Sequence, residues 1–402
     1  MAIIKFAIRR NLIYPLQLII WNLVRNLLTM FIKYLFDFSD SLVYSPLMFL
    51  GELIGGGIIY IYQKKYLLAK KNEENEQYFM SIKLLSTKED EDDYFIPVDG
   101  NIKILFLMFL IAFCDHEEFL VETTIIPKFN RLSSSIVLRM GGFSALFTLL
   151  FYLYALKLPI YKHHKLSLTI IAICLILIII CEYHYQEINF FFTYKEFTEI
   201  LAIIIVSQLL KSELDSIEKY LFEFDYMNPF FVLSYEGLFG FLITFSFCAI
   251  PEYLDDVKEV YKEKSIGMFI LFIFLLFVYV VLSAGRNIFR IVTNKIYSPM
   301  ASSLTDYFLN PIYLLYYFGA LKDFVSDEKL NVPYFIINIF LSLIISFFGC
   351  VYSEFIILSF CGLERETHYQ ITKRSILNVN TELLKLESDE YSHNSDDYTS
   401  SK

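Results

Sequence analysis

About ten stretches of roughly twenty predominantly apolar residues run through this chain, and each is long enough to cross the hydrocarbon of a bilayer. They cover residues 11–32, 43–62, 102–124, 133–155 and 166–185 in the first half, and 196–217, 228–249, 266–289, 300–320 and 333–358 in the second. Only 19% of the residues are charged, where soluble chains carry about a quarter, so the expected solvent for most of the sequence is lipid. The expected fold is an all-α membrane bundle of about ten transmembrane helices. Met1 to Phe31 lacks the short apolar core and small-residue cleavage site of a secretory signal, so the first stretch is read as a span.

Lys and Arg near the span ends set the orientation. With both termini in the cytosol, residues such as Arg9, Arg10, Lys64, Lys65, Lys157, Lys162, Arg290 and Lys295 fall inside, and few basic residues face out. On that reading residues 1–10 are a cytosolic N-terminus and 363–402 a cytosolic acidic tail. The acidic residues that make the formal charge −10 concentrate in the tail and in a second loop over 63–101, which is expected to be a mobile polar segment. They are solvated runs, so no nucleic-acid partner is implied. Six cysteines lie mostly in or beside apolar stretches with no Cys-x-x-Cys and no histidine at ligand spacing, and neither a disulfide framework nor a metal cofactor is expected. Nor is there a Ser-His, Ser-Lys or paired-aspartate constellation that would read as an enzyme.

The two halves echo each other. Glu52 and Gly56 recur 184 residues later as Glu236 and Gly240, the same Glu-x-x-x-Gly spacing inside the same kind of apolar stretch. Beyond the long second loop an offset of 168 carries Ser134 and Ser135 to Ser302 and Ser303, and carries Asp115, Glu118 and Glu122 to Ser283, Arg286 and Arg290. Residues at i, i+3 and i+7 share a helix face, so an acidic face in one half answers a basic face in the other. Five spans separate the copies, an odd number, which inverts the second five-helix repeat (196–358) relative to the first (11–185). Inverted repeats with polar groups near mid-membrane are the architecture of secondary transporters.

A charged residue in hydrocarbon costs about 2.5–3.5 kcal/mol on insertion scales, and those that persist face the bundle interior or water. That criterion selects Glu52, Asp115, Arg139, Glu236, Arg286 and Asp306 as substrate-binding or gating candidates, set against a purely structural role in which they neutralise one another. Arg139 offers a fork of donors suited to carboxylate or phosphate. Lys211, Asp215 and Glu218 read as a solvated helix end. Arg290, Asn294 and Lys295 read as cytosolic anchoring, and Asn294 and Lys295 also as a cytosolic mouth that attracts an anionic solute. His163 and His164 sit in a short turn and are expected at the surface. Gly51 and Gly55 form a Gly-x-x-x-Gly that favours close helix packing, with a homodimer as the lesser reading.

Several of these stretches resemble the drug/metabolite transporter superfamily, in particular its solute carrier family 35 F-type and EamA-like members related to nucleotide-sugar transporters. The resemblance rests on Met48-Phe49-Leu50-Gly51-Glu52, on Phe113-Cys114-Asp115, on the Ser-rich run from Ser133 to Arg139, and most on Glu218-Lys219-Tyr220-Leu221 followed by Pro229 and by Ser234 to Gly240. It covers most of Leu16 to Leu363. It implies two inverted five-helix repeats around a central cavity, alternating access, and an endomembrane home in Golgi, endoplasmic reticulum, lysosome or vacuole. Of the Gly-Ala-Leu-Asn-Lys signature of nucleotide-sugar transporters only Asn294-Lys295 is echoed, which leaves the solute open. The expected function is transport of a small polar or anionic solute, and the alternative is a transport-inactive scaffold within a larger membrane complex.

Overall fold

The computed structural model describes residues 4–6, 13–36, 43–73, 102–121, 140–154, 160–190, 194–247, 265–312, 314–315, 332–367 and 370. Within them the helices are α1 (Ile13–Phe36), α2 (Tyr44–Glu73), α3 (Ile102–Leu120), α4 (Phe143–Tyr154), α5 (Lys162–Phe190), α6 (Tyr194–Glu223), α7 (Pro229–Phe247), α8 (Ile266–Ile296), α9 (Pro299–Tyr307) and α10 (Val332–Tyr352). One helix falls in each apolar stretch expected from the sequence. Six of them, α1, α2, α5, α7, α8 and α10, contain a segment long and apolar enough to cross a membrane. Among the others, α3 and α6 are rich in ionisable residues, while the described parts of α4 and α9 span 12 and 9 residues, short of the roughly 20 a crossing needs. Of the second loop expected over 63–101, residues 63–73 instead continue α2, and the tail expected from 363 begins with a short 3₁₀ turn at Leu363–Glu366; residues 74–101, Arg139 and 371–402 lie outside the described residues.

The distribution of polarity is that of a membrane protein. Along α8, Ile270, Phe274, Phe277 and Val281 are exposed, whereas Ser283, Asn287, Arg290 and Asn294 are buried. Along α10, Ile336, Phe340, Leu343 and Phe347 face outward while Asn338 and Ser342 are inside. Apolar side chains outside and polar ones inside are stable only when the surroundings are hydrocarbon, because each unsatisfied polar group facing lipid costs several kcal/mol. The chain is a multi-pass helical membrane protein.

Packing centres on α2, which lies along α7 and α8. Glycine makes this approach possible. A Cβ on Gly237 of α7 would stand 2.3 Å from the Leu53 nitrogen, and one on Gly56 of α2 would stand 2.8 Å from the Ser234 nitrogen. A Cβ on Gly51 would meet the Val280 carbonyl of α8 at 2.6 Å, and one on Gly55 would meet Ala284. The Gly51 to Gly55 stripe is thus occupied by α8 of the same chain, and the close-packing reading of that motif describes it. Elsewhere α1 packs on α8, α3 on α6 and α7, α4 on α5, α6 and α9, α5 on α10, α9 on α10, and α1 on α9. The apolar core between α4, α5, α9 and α10 contains Leu175, Ile178, Leu304, Leu341 and Ile345.

Two features depart from an all-helical expectation. The last predicted span, 333–358, ends early. The Phe355 amide donates to the Cys350 carbonyl and the Glu354 amide to that of Val351, while Glu354 takes a left-handed φ of 58°, a hydrogen-bond pair that closes a helix. The chain then forms β2 (Ile356–Leu358), which pairs antiparallel with β1 (Ile4–Phe6), Ile4 opposite Leu358 and Phe6 opposite Ile356. The ladder puts the N-terminal segment and the segment after α10 at the same end of the molecule.

Candidate functional site

Ionisable residues gather where α2, α3, α6, α7 and α8 meet. Arg290, one turn and a half from the end of α8, is 5% exposed and contacts three carboxylates. Its Nη1 lies 3.3 Å from Asp215 Oδ1, and its Nη2 lies 2.9 Å from Glu218 Oε1 and 2.8 Å from Glu236 Oε1. The acids are held in turn. Ser303 of α9 donates to Asp215 Oδ2 at 3.1 Å, and the Asn294 side-chain amide donates to Glu218 Oε2 at 2.6 Å and to the Asp215 carbonyl at 3.1 Å. Lys219 donates to the Lys295 carbonyl at 2.9 Å and pairs with Glu223 at 2.8 Å, which pins the end of α6 to the end of α8.

Asp215 and Glu218 are therefore buried, not part of a solvated helix end, and Arg290 is the hub of the network, not a surface anchor. Asn294, placed by sequence at a cytosolic mouth, is fully buried as a clamp on Glu218, while Lys295 beside it is half-buried. Depth explains the misreading. At 30 and 31 residues, α6 and α8 exceed the length a crossing needs, so an apolar window does not separate their buried turns from their solvated ones.

Glu52 and Glu236, the expected symmetry mates, are both 0% exposed. With Asp115 they form one cluster in which an oxygen from each lies within 4.8 Å of the others. At that separation two carboxylate charges repel by roughly 3.5 kcal/mol at an effective dielectric near 20, so the cluster needs positive charge close by. Glu52 accepts from the Asn287 side-chain amide, whose oxygen in turn accepts from Arg286 Nη1 at 2.6 Å. The acid excess in this region reaches past the hub, since Glu52 and Asp115 add to the three acids around Arg290.

In front of the cluster lies a cavity of about 290 Å³. Basic groups of Arg25, Lys211, Arg286 and Arg290 and acidic groups of Asp115, Glu118 and Asp215 alternate in its lining, with Lys211 paired to Glu118 at 3.5 Å and Arg290 to Asp215 at 3.3 Å. Amides and hydroxyls complete it, including Asn22, Asn26 and Gln208. Asn22, Arg25 and Asn26 interrupt the apolar run of α1 at i, i+3 and i+4, a single face, and Asn22 Oδ1 accepts from both Arg25 and Asn26 at 3.4 Å. That spacing was the signal that the first span lines a cavity. Of the expected site residues, Asp115 and Arg286 line it, and Glu52 and Glu236 sit behind it. Asp306 falls on α9, with only its backbone described, and Arg139 is outside the described residues.

A second cluster at the end that carries the β ladder joins His163 and His164 of α5 to Glu354 in the turn after α10. His163 is 3% exposed, with Nε2 at 3.6 Å from Glu354 Oε1, so it is not the surface histidine its sequence context implied. The trio of ring nitrogens and carboxylate could hold a metal ion, as could the oxygen-only trio of Glu52, Asp115 and Glu236. No protein-family model matches the chain, and no curated protein matches it.

Proposed function

We propose that the protein is a secondary transporter that moves a small polar or anionic solute across an internal membrane by alternating access. The observation that carries this reading is the polar cavity of about 290 Å³ enclosed by apolar helices, with guanidinium and ammonium groups in its lining. A cavity with three arginines and a lysine suits carboxylate or phosphate, which arginine binds with paired donors. Its lining comes from α1, α2 and α3 of the first proposed repeat and α6, α8 and α9 of the second, so a movement of one repeat against the other would change access to it.

The proposed architecture is ten helices in two inverted five-helix repeats, as in drug/metabolite transporters. Support comes from the contacts. A shift of five helices turns the α1–α8 contact into α6–α3, the α2–α8 contact into α7–α3, and α4–α5 into α9–α10, and every one of these is made. The contacts α2–α7, α4–α9 and α5–α10 map onto themselves, which is where a two-fold axis in the membrane plane would pass. The Arg290 network lies at the ends of α6 and α8, and in this proposal it is the closed gate on that side of the cavity.

The test is uptake of a panel of organic anions into liposomes carrying purified protein, wild type against Arg25→Ala. Arg25 lines the cavity and donates to Asn22 of its own helix, and uptake is compared at matched amounts of folded protein. We expect at least about a tenfold loss of uptake, the equivalent of 1.4 kcal/mol. Uptake by the wild type no faster than by empty liposomes, for every solute, would leave the transport-inactive scaffold as the function.

A further inference from the structure

We propose that Glu52, Asp115 and Glu236 form a binding site for a hard metal cation at the back of the cavity. The three oxygens within 4.8 Å of one another can all reach one ion, since hard cations bind oxygen at about 2.3–2.6 Å and the widest pair of ligands then stands about twice that apart. The donors are carboxylate oxygens alone, which favours an ion of the alkali or alkaline-earth type over zinc or copper.

Two further observations point to an ion. Glu52 and Glu236 each commit one oxygen, to Asn287 and to Arg290, and the second oxygen of each, Oε2, is fully buried with no hydrogen-bond partner among the described residues. Buried polar atoms in folded proteins are nearly always satisfied, and an acceptor with no donor near it is what a cation satisfies. The charge balance runs the same way. With the cavity lining included, Glu52, Asp115, Glu118, Asp215, Glu218 and Glu236 set six carboxylates against the four cations Arg25, Lys211, Arg286 and Arg290, and a bound cation reduces that excess. Entry is through Asp115, which lines the cavity in front of the two buried glutamates.

The ligands come from α2, α3 and α7, so the ion ties together the helix at the centre of the packing and two of its neighbours. A helix movement that separates Asp115 from Glu52 and Glu236 opens the site, and ion release would accompany it. The site stands on its own geometry and does not depend on which solute the cavity takes.

The experiment is thermal unfolding of the purified full chain in choline buffer, with NaCl, MgCl₂ or CaCl₂ added in turn. One of these ions should raise the midpoint, with the folded-to-unfolded ratio gaining about 100-fold when the ion is at about 100 times its dissociation constant. The gain should vanish in Asp115→Asn, the half-buried ligand whose loss is easiest to tolerate, and in Glu52→Gln. It should persist in Glu182→Gln, which alters a buried carboxylate on α5 away from the cluster. Midpoints unmoved by all three ions, or a gain that survives in Asp115→Asn and Glu52→Gln alike, would overturn the site. So would a midpoint that responds to pH alone, which would assign the cluster to protons. Stabilisation by an organic anion in choline buffer reads the cavity separately, so the failure of one proposal is not the failure of the other.

Discussion

Glu236 and Glu182 are both fully buried carboxylates in apolar helices, and their surroundings differ in kind. Glu182 of α5 accepts from the Tyr334 hydroxyl of α10, and the neighbouring seam is built of neutral groups such as Asn338 and Ser342 beside an apolar core. Glu236 of α7 shares Arg290 with two other acids and stands beside two more, with a cavity in front. Under the proposed inverted repeat both seams include a pair that maps onto itself, α5–α10 and α2–α7. What separates them is that Glu182 meets a neutral hydroxyl on one oxygen, whereas Glu236 meets a guanidinium that it shares with two other acids. In the proposed transport cycle the charged seam is where a ligand would drive a conformational change, since a ligand shifts an equilibrium only through differential affinity for its states.

That comparison is most exposed to Arg290→Ala. Removing the hub leaves Asp215, Glu218 and Glu236 buried without their cation, and loss of one partner of a buried pair costs about 3–5 kcal/mol. Thermal unfolding in detergent should show the largest fall in midpoint of any single change considered, and a fall no greater than that of Tyr334→Phe would erase the distinction between the seams. Next in size is Gly237→Leu, which drives a side chain into the α2 backbone at a site where a Cβ alone would stand 2.3 Å from Leu53. Overpacking of this kind costs about 1–3 kcal/mol, and folded yield together with midpoint measures it. An unperturbed midpoint would mean that α2 and α7 are not held at backbone contact.

Tyr334→Phe removes the donor to Glu182 and should cost roughly 1–2 kcal/mol of stability while leaving solute uptake unchanged. Uptake lost in this variant would bring the α5–α10 seam into the transport path and merge the two regions. The smallest effect is expected at Gly267, in the first turn of α8, where nothing lies within 4 Å of an added Cβ. Gly267→Ala should gain about 0.5 kcal/mol from helix propensity alone, and a loss measured in the same assay would show that the space around α8 is occupied.

Much of this arrangement was legible in the residues. Glu52 and Glu236 stand out because a carboxylate in an apolar run has few inexpensive places to go, and burial together at the helix crossing is one of them. The clustering of Asp115 with them followed from the same cost. Asp215, Glu218 and Arg290 were harder, since they lie in the last turns of long helices, where the same residues would be equally at home in water. Their burial depends on Ser303, Asn294 and Lys219 converging from three helices, a tertiary fact with no local mark. The burial of His163 had the same character, because it depends on Glu354 itself taking the left-handed conformation that closes α10, a position where glycine is the usual residue. The β1–β2 ladder had no local signal at all: each strand is three residues long, and the partners sit at opposite ends of the sequence.

That ladder also imposes an order in time. Ile4 emerges from the ribosome among the first residues of the sequence, and Leu358 opposite it is added about 20–70 s later at ordinary rates of synthesis. Throughout that interval β1 offers unpaired amides and carbonyls to whatever strand is near. A chain that stops before Ile356 never covers them, so an antibody or protease that reads β1 would distinguish copies that reach Leu358 from copies that do not.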